Sequence, residues 1–148
     1  MVQKHEHAAK SSCPLACSLD IIGDHWTVLI IRDLMFLGRH EFKDMLRAEE
    51  GISSNILSDR LKRLEKGGLI SSKPHPESGR RKLYYLLPKG KDLIHVLIPL
   101  ARWADKHLDE VVHIPPEKRG PLIKNPEGMI QSVLQELEEW EEKYVKGK

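Results

Sequence analysis

Apolar residues recur every three or four positions along most of this chain, a spacing that places them on one face of a helix. Leu15, Leu19 and Ile22 define the first such segment. The stretch from Trp26 to Leu37, which Asp24 can cap, is apolar on nearly all sides, so we expect a central, buried helix there. A short helix is predicted next, from residue 42 to about 48.

A capped, amphipathic helix is predicted to follow. Ser53 is a suitable N-cap, Leu57, Leu61 and Leu64 share one face, and two glycines at 67 and 68 end the helix. The opposite face is small, polar and basic. It carries Asn55, Asp59, Lys62 and Lys66, with Ser54 and Ser58 on its flank.

A β-hairpin is predicted immediately after this helix. Two strand-like runs, 69–73 and 82–87, flank a turn that contains Pro76, Ser78 and Gly79. The helix and the hairpin are therefore neighbours in the chain.

The C-terminal part is predicted to be helical around a proline-rich connector. A long helix is expected over 88–108, with Pro99 as a candidate kink. Four prolines between 115 and 126 mark the connector. The last helix has an apolar stripe close to a heptad seam: Ile130, Val133, Leu134, Leu137, Trp140 and Tyr144. Because an isolated helix of this length is marginal in water, we expect a second subunit to cover the stripe.

Charge is distributed unevenly along the chain. The formal net charge is only +2, with 40% hydrophobic and 31% charged residues, as in ordinary folded proteins. Between residues 39 and 91, thirteen Lys and Arg oppose seven Asp and Glu, whereas residues 107–148 carry nine acidic and six basic side chains. A basic middle with an acidic end predicts a module that faces a polyanion and a tail with another task.

The helix and hairpin together favour DNA as that polyanion. Small side chains near a helix N-terminus allow close approach to base edges, and Asn pairs bidentately with adenine. The cations beside the hairpin turn lie where stability gives them no evident role, whereas phosphates would. We predict DNA contacts from the helix residues Ser53, Ser54, Asn55, Ser58 and Lys62, from Arg80, Arg81 and Lys82 of the hairpin, and from Lys43 and Arg47 of the preceding helix. Either part alone is also explained as a solvated, charged surface.

The predicted fold class is α+β and mostly helical, a winged helix-turn-helix with a two-stranded β-wing and extra N- and C-terminal dimerisation helices. A chain of 148 residues buries one proper core, so we expect one domain with appendages. Residues 1–11 are expected to be a flexible lead and 12–108 a DNA-binding domain with dimerisation helices. Residues 109–148 are expected to form a proline-punctuated connector and an amphipathic helix.

Short motifs that occur in order between Cys13 and Trp103 carry a family resemblance. They are Cys13-Pro14-Leu15, Ile22-Gly23 with Trp26, Leu29 and Arg32, Gly51-Ile52-Ser53, Leu57-Ser58-Asp59-Arg60-Leu61-Lys62-Arg63-Leu64-Glu65, Gly68-Leu69-Ile70, Tyr84-Tyr85-Leu86 and Lys89-Gly90. On these residues the chain resembles the HxlR-type regulators, a branch of the MarR-like winged-helix group. The resemblance implies a homodimeric transcription factor, with a recognition helix in the major groove of double-stranded DNA and a wing alongside. Two-fold symmetry would then require a pseudo-palindromic operator, and repression is the expected effect.

Three features depart from the family pattern. Leu87 stands where such proteins usually have Thr or Ser to cap the next helix. Asp59 lies on the face that would meet DNA, where it repels phosphate unless it accepts from a cytosine amine or pairs with Arg63. The region after His107 is longer than the resemblance implies.

Two cysteines, Cys13 and Cys17, are too few for a disulfide framework. Cys13 precedes Pro14 at a helix N-terminus, where the helix dipole favours a thiolate. It is a candidate sensor of oxidants or electrophiles, as the resemblance implies for some HxlR-type members, although a thiol with only a structural role stays open. Together with His5 and His7 the cysteines do not match a standard zinc pattern, so we expect neither a metal nor another cofactor.

Other functions are less favoured by the sequence. No G-x-S-x-G, H-E-x-x-H or phosphate-loop motif is found, so an enzyme is not expected. Nothing resembles a signal peptide or a membrane span, which predicts a cytoplasmic protein with no membrane partner. The main alternative is a winged-helix module that holds an acidic protein partner without sequence-specific DNA readout. Trp26, Trp103 and Trp140 could line a ligand pocket, but such residues usually form a core or an interface, and the sequence assigns no small-molecule effector.

Overall fold

Helices account for most of the structure. The computed structural model describes residues 6–147, and in that part the chain forms eight helices and one two-stranded sheet. Their bounds are α1 Pro14–Ile22, α2 Thr27–Phe36, α3 Phe42–Leu46, α4 Ser54–Lys66, β1 Ile70–His75, β2 Ser78–Leu86, α5 Pro88–Lys91, α6 Ile94–His107, α7 Pro116–Lys124 and α8 Pro126–Tyr144. The predicted winged helix-turn-helix fold is confirmed, with α3 and α4 as the two helices of the motif and β1–β2 as the wing.

The core forms where α2 meets α4. Ile31 and Leu34 of α2 are fully buried, which confirms the central helix that the apolar run predicted. Leu57, Leu61 and Leu64 of α4 are at most 3% exposed and belong to the same cluster. Burial of each such side chain stabilises the fold by about 1.5–3 kcal/mol, so the leucine face fixes how α4 is rotated.

Glycines with positive φ end two of these helices. Gly38 follows α2 with φ of 62°, and Gly68 follows α4 with φ of 77°. L side chains rarely adopt this conformation, and glycine does so without strain. Both helix ends therefore lie where the sequence predicts them.

The wing is longer than the sequence predicts. Ile70 pairs with Leu86 and Lys73 with Leu83, but the antiparallel pairing continues to His75 and Ser78. Ser78 and Gly79 therefore lie in β2 and not in the turn, which is only residues 76–77. The outer part of the wing is mostly exposed and polar, so it lacks the apolar alternation by which a strand is usually predicted.

The prediction of a single long helix over 88–108 is wrong. The chain forms α5, breaks, and resumes as α6, which continues through Pro99. Gly90 of α5 packs so closely on Leu69 that an added Cβ would overlap the Leu69 carbonyl oxygen. The Lys89 ammonium donates to Gly67 O at 2.9 Å. These contacts hold α5 against the junction of α4 and β1, and Leu87 indeed provides no side-chain cap for it.

The proline-rich connector contains a helix that the sequence analysis missed. Pro116 opens α7, at a position where the missing N–H of proline costs no hydrogen bond. Helix α8 then begins at Pro126, four residues before the predicted apolar stripe. Its cap is Asn125, whose side chain accepts from the Gly128 N–H at 3.1 Å.

Helix α8 folds back on its own chain. Leu137 is 7% exposed and shares the core cluster with Leu122 of α7, and α8 packs against α2, α6 and α7. The expectation that a second subunit covers this stripe is therefore wrong. Helix α7 leads the chain back to the core, so residues of the same chain cover the apolar stripe of α8.

The predicted flexible lead comprises residues 1–11, of which 1–5 lie outside the described residues. The remaining part, residues 6–11, forms a turn against α1. The backbone N–H groups of His7 and Ala8 donate to the Asp20 carboxylate at 2.7 and 3.0 Å. This segment is thereby tied to the first helix.

Candidate nucleic-acid interface

The N-terminal turns of α4 present small polar groups to solvent. Ser53 has extended backbone geometry, and its Oγ accepts from the Ile56 N–H at 3.2 Å, which confirms the predicted N-cap. Ser53, Ser54 and Asn55 are exposed, and Lys62 is exposed farther along the helix. Ser58 is half-buried and is the least accessible of the helix residues expected to meet DNA.

Asp59, the residue that fits a DNA-facing surface least well, is partly neutralised by its neighbours. Its carboxylate lies 2.6 Å from Nη1 of Arg60 and 3.8 Å from Nη1 of Arg63. The local pair with Arg63 considered in the sequence analysis is thus the longer of two contacts. Such pairing reduces the repulsion that an exposed carboxylate would exert on a phosphate.

A bulge in the wing carries the arginines. His75 pairs with Ser78 and Pro74 with Lys82, so the β2 residues 79–81 have no opposite residue on β1. Bulges of this kind bend a strand and redirect its side chains. Arg80 and Lys82 are exposed there, and Lys43 and Arg47 are exposed at α3.

Arg81 has a structural partner, whereas its neighbour Arg80 has none among residues 6–147. Its Nε and Nη2 donate to the two carboxylate oxygens of Glu41 at 2.6 and 2.9 Å. Glu41 is the N-cap residue of α3, and these hydrogen bonds lower its pKa. The expectation that stability gives the hairpin cations no role is wrong for Arg81, because this bidentate pair ties the wing to α3.

Asp24 joins the start of α2 to α4. Its Oδ1 accepts from the N–H groups of Trp26 and Thr27 and from Arg60 Nε at 3.1 Å, and the Thr27 hydroxyl donates to Oδ2. Burial by itself raises the pKa of Asp24, but these hydrogen bonds outweigh it and lower the pKa to about 2. The sequence predicted the capping role of Asp24. It did not predict the link to Arg60, which resembles any other surface cation.

A second ion-pair network fixes the turn that precedes α4. Arg32 donates to Glu50 at 2.7 and 2.9 Å and to the buried carboxylate of Asp33 at 3.0 and 2.8 Å. Arg39 completes the network, at 3.2 Å from Asp33. The hydrogen bonds from Arg32 lower the pKa of Glu50 to about 2. Glu50 immediately precedes Gly51, so the turn of the motif is anchored to α2.

Cys13 lies at the start of α1, as predicted. It is exposed, has extended backbone geometry and immediately precedes Pro14 in the first turn. The thiol of Cys17 donates to the Ser11 carbonyl at 3.3 Å, so the two cysteines have different surroundings. Both are free thiols.

Exposed apolar side chains line α1 and one face of α6. Leu15 and Leu19 project from α1, in which none of the nine residues is buried. Val96, Leu100 and Trp103 of α6 follow one another at helical spacing, and Trp103 is 55% exposed. Exposed apolar side chains that follow one another on one helix face are candidates for an interaction surface.

Other kinds of site find little support among the described residues. Residues 6–147 contain no group of three or more His, Cys, Asp or Glu that could hold a metal ion, and His5 lies outside this part. The cavity beside Trp26 has a volume of about 10 Å³, room for at most one water, whereas the cleft that Trp140 lines together with His40 and His75 has a volume of about 230 Å³. No single helix in the described segment has the length and apolar composition to cross a membrane; α1 and α2 pass that test only as a pair, and they are bent by 77° to each other.

Comparison with known proteins matches most of the chain. A family model described as HxlR-like helix-turn-helix matches residues 21–112. The HTH-type transcriptional regulator Rv3095 of Mycobacterium tuberculosis is 34% identical over 107 residues, which are 72% of this chain and 62% of that protein. The chain therefore spans less than two thirds of the length of this relative.

Solved structures agree with the sequence relatives. The crystal structure of the candidate transcription factor PA1607 is 34% identical, with a TM-score of 0.63 over 73% of this chain and 75% of that one. The reduced form of the transcriptional regulator YodB from Bacillus subtilis is 30% identical, with a TM-score of 0.52 over 66% of this chain and 95% of that one. Quinone-bound YodB is 29% identical, with the same TM-score over 64% of this chain and 99% of that one.

The substitution Asp24→Asn tests the link between α2 and α4. Asn keeps an oxygen for the backbone N–H groups but loses the charge, so we expect destabilisation on the order of 1 kcal/mol at pH 7. Because the pKa is lowered in the folded state, this contribution is complete above the ordinary value of 3.8 and is lost as the pH falls through about 2. Denaturant unfolding of both proteins at several pH values measures the difference. The exposed Asp109→Asn is the control, and a difference that stays constant down to pH 2 would contradict the link.

Proposed function

Because this chain belongs to the HxlR-like helix-turn-helix family of transcriptional regulators, we propose that it is a homodimeric, sequence-specific repressor acting in the cytoplasm. The observation that carries the proposal is the rotation of α4, whose leucine face is locked in the core while its polar N-terminal turns face solvent. A rigid helix with small polar groups at its N-terminus suits entry into a major groove. A repressor at that position would exclude polymerase from the promoter.

The proposed contacts divide between bases and backbone. Exposed groups on α4 suit base edges, and exposed cations elsewhere suit phosphates. The base-edge set is Ser53, Ser54, Asn55, Ser58 and Lys62, and the phosphate set is Arg80, Lys82, Lys43 and Arg47. Arg81 joins the phosphate set through Nη1 alone, because Glu41 holds its Nε and Nη2. Its larger contribution is to hold the wing against α3.

A homodimer is supported by the apolar surfaces of α1 and α6. Leu15, Leu19, Leu100 and Trp103 are exposed in the single chain and would be covered by the same elements of a second copy. Helix α8 takes little part in this interface, because its stripe already packs on its own core. A two-fold dimer places two copies of α4 on one side of the duplex, which requires a pseudo-palindromic operator.

Cys13 is proposed as a sensor of electrophiles or oxidants. Its thiol is exposed at the N-terminus of α1, within the proposed dimer surface. The similar regulator YodB is known in reduced and quinone-bound forms. A thiolate adds directly to the electron-poor carbon of a quinone, and the ring takes up the proton, so no further reactant is needed. The adduct would place a bulky group where α1 meets the partner.

A module that merely holds an acidic protein partner is the weaker alternative. Its basic surface would be the same, but the relatives are HTH-type transcriptional regulators. Binding that is weak on every DNA, without preference over competitor, would favour this alternative.

The substitution Arg80→Ala tests the phosphate contact of the wing. Loss of one phosphate contact should weaken binding to all DNA sequences and flatten the slope of log K against log salt by about 1. Titrations at four or more salt concentrations measure that slope. Lys118→Ala removes an equal charge from the exposed face of α7 and should leave the slope unchanged. An unchanged slope in Arg80→Ala would contradict the phosphate contact.

Selection of bound sequences from a random DNA pool tests both specificity and symmetry. We expect a pseudo-palindrome with half-sites about one helical turn apart, or a multiple of that distance. Asn55→Ala should relax the preference at particular bases, which costs about 1–3 kcal/mol of discrimination, without changing the salt slope. A pool that shows no enrichment, or a single asymmetric half-site, would count against the homodimeric reader.

Titration of operator binding with a quinone tests the sensor. Wild-type chain should release DNA as the reagent is added, whereas Cys13→Ser should not. Cys17→Ser is the matched control, because it removes the other thiol and should retain the response. Identical curves for wild type and Cys13→Ser would rule out this role.

A further inference from the structure

The chain continues well beyond the family match, which ends at residue 112. Residues 113–147, here called the C-terminal extension, contain α7 and α8. Their apolar residues join the core, but three polar or aromatic contacts reach farther, to the base of the wing. These contacts involve the last turns of α8 and the residues just after it.

His40 borders the free edge of β2. The Tyr84 N–H donates to the His40 carbonyl at 2.7 Å, and His40 Nδ1 lies 2.8 Å from the Tyr84 carbonyl oxygen. A carbonyl only accepts, so Nδ1 carries the proton and donates. The strand β2 is thus held by β1 on one edge and by His40 on the other.

Trp140 of α8 holds the His40 ring in place. The two rings stack with centroids 3.6 Å apart and an interplanar angle of 14°. His40 is 6% exposed, and burial lowers its pKa although the Tyr84 carbonyl, Glu141 and Asp44 all act in the opposite direction. The ring is therefore neutral near pH 7, in the form that donates one hydrogen bond to β2.

Two further contacts attach the extension on either side of the wing. The Lys91 ammonium lies 2.5 Å from the carboxylate of Glu141, which is only 7% exposed. The Lys73 ammonium donates to the Val145 carbonyl at 3.0 Å. Lys73 belongs to β1, and Lys91 belongs to α5, which directly follows β2. The end of α8 therefore contacts both strands or their immediate continuation.

We propose that Trp140 is a positioning residue for the wing and acts on it through His40. An isolated two-stranded ribbon is marginally stable in water, so the position of its tip depends on what holds its base. The apparent affinity for DNA scales with the fraction of molecules whose wing is in the binding position. The extension raises that fraction without contacting DNA. This inference rests on the proposed function, in which the wing meets the DNA backbone.

The substitution Trp140→Leu in the full chain tests the proposal, because Leu keeps an apolar side chain at this position but removes the stacked ring. Hydrogen exchange should accelerate at Tyr84 and across residues 70–86 but stay unchanged in α4. DNA affinity should fall about threefold to tenfold, the range expected from loss of one aromatic pair. The salt slope should stay unchanged, because no phosphate contact is removed.

Two further variants serve as a rescue and as a control for Trp140→Leu. Trp140→Phe keeps an aromatic ring on His40 and should restore most of the affinity and of the wing protection. Gln135→Ala removes an exposed side chain from the same helix and should behave as wild type.

The outcomes separate positioning from general stability. Wild-type protection of the wing in Trp140→Leu would overturn the proposal, and so would an equal loss of protection in α4 and the wing. Faster wing exchange with unchanged DNA affinity would overturn it as well. If wild-type chain binds no DNA, the proposed function fails, whereas faster exchange confined to the wing would still support the action of Trp140 on β2.

Discussion

The leucine face of α4, buried against α2, is the constraint on which the candidate interface depends. Leu57, Leu61 and Leu64 together contribute several kcal/mol, whereas an exposed ion pair contributes at most about 1 kcal/mol. The rotation of α4 is therefore set by the core and not by the charges on its outer face. Asn55 and Lys62 are exposed because they lie opposite the leucines. Their availability to a ligand follows from packing.

Electrostatic contacts then restrict the elements that the core has placed. Asp24 and Arg60 join α4 to the start of α2, and Arg32 with Glu50 anchors the turn before α4. Arg81 ties the wing to α3 in the same way. The arginines of this region therefore fall into two groups, those paired with carboxylates and those exposed to solvent. Arg32, Arg60 and Arg81 donate to carboxylates with defined geometry, whereas Arg80 is exposed and forms no such pair with the described residues.

The sequence predicts well those features that local chemistry determines. The apolar run of α2, the apolar periodicity of α4, the Ser53 cap and the glycine at position 68 all depend on neighbouring residues, and all agree with the structure. Features that depend on distant contacts were missed. The placement of α5 depends on the close approach of Gly90 to Leu69, and the pairing of Arg81 with Glu41 spans forty residues of chain. In a single sequence, nothing near one residue of such a contact identifies the other.

The most instructive error concerns the stripe of α8. An apolar face at helical spacing establishes that a helix must be covered, because exposed apolar area is unfavourable, but it does not identify the cover. Here α7 returns α8 to its own chain, where Leu137 enters the core and Trp140 reaches His40. The large apolar side chains that stay exposed in the single chain lie elsewhere, at Leu15 and Leu19 of α1 and at Val96, Leu100 and Trp103 of α6. Because α8 packs on the core and on His40, the C-terminal extension is packed as part of the winged-helix fold. Removing it would expose the surfaces of α2 and α6 on which it packs, as well as the stacked face of His40.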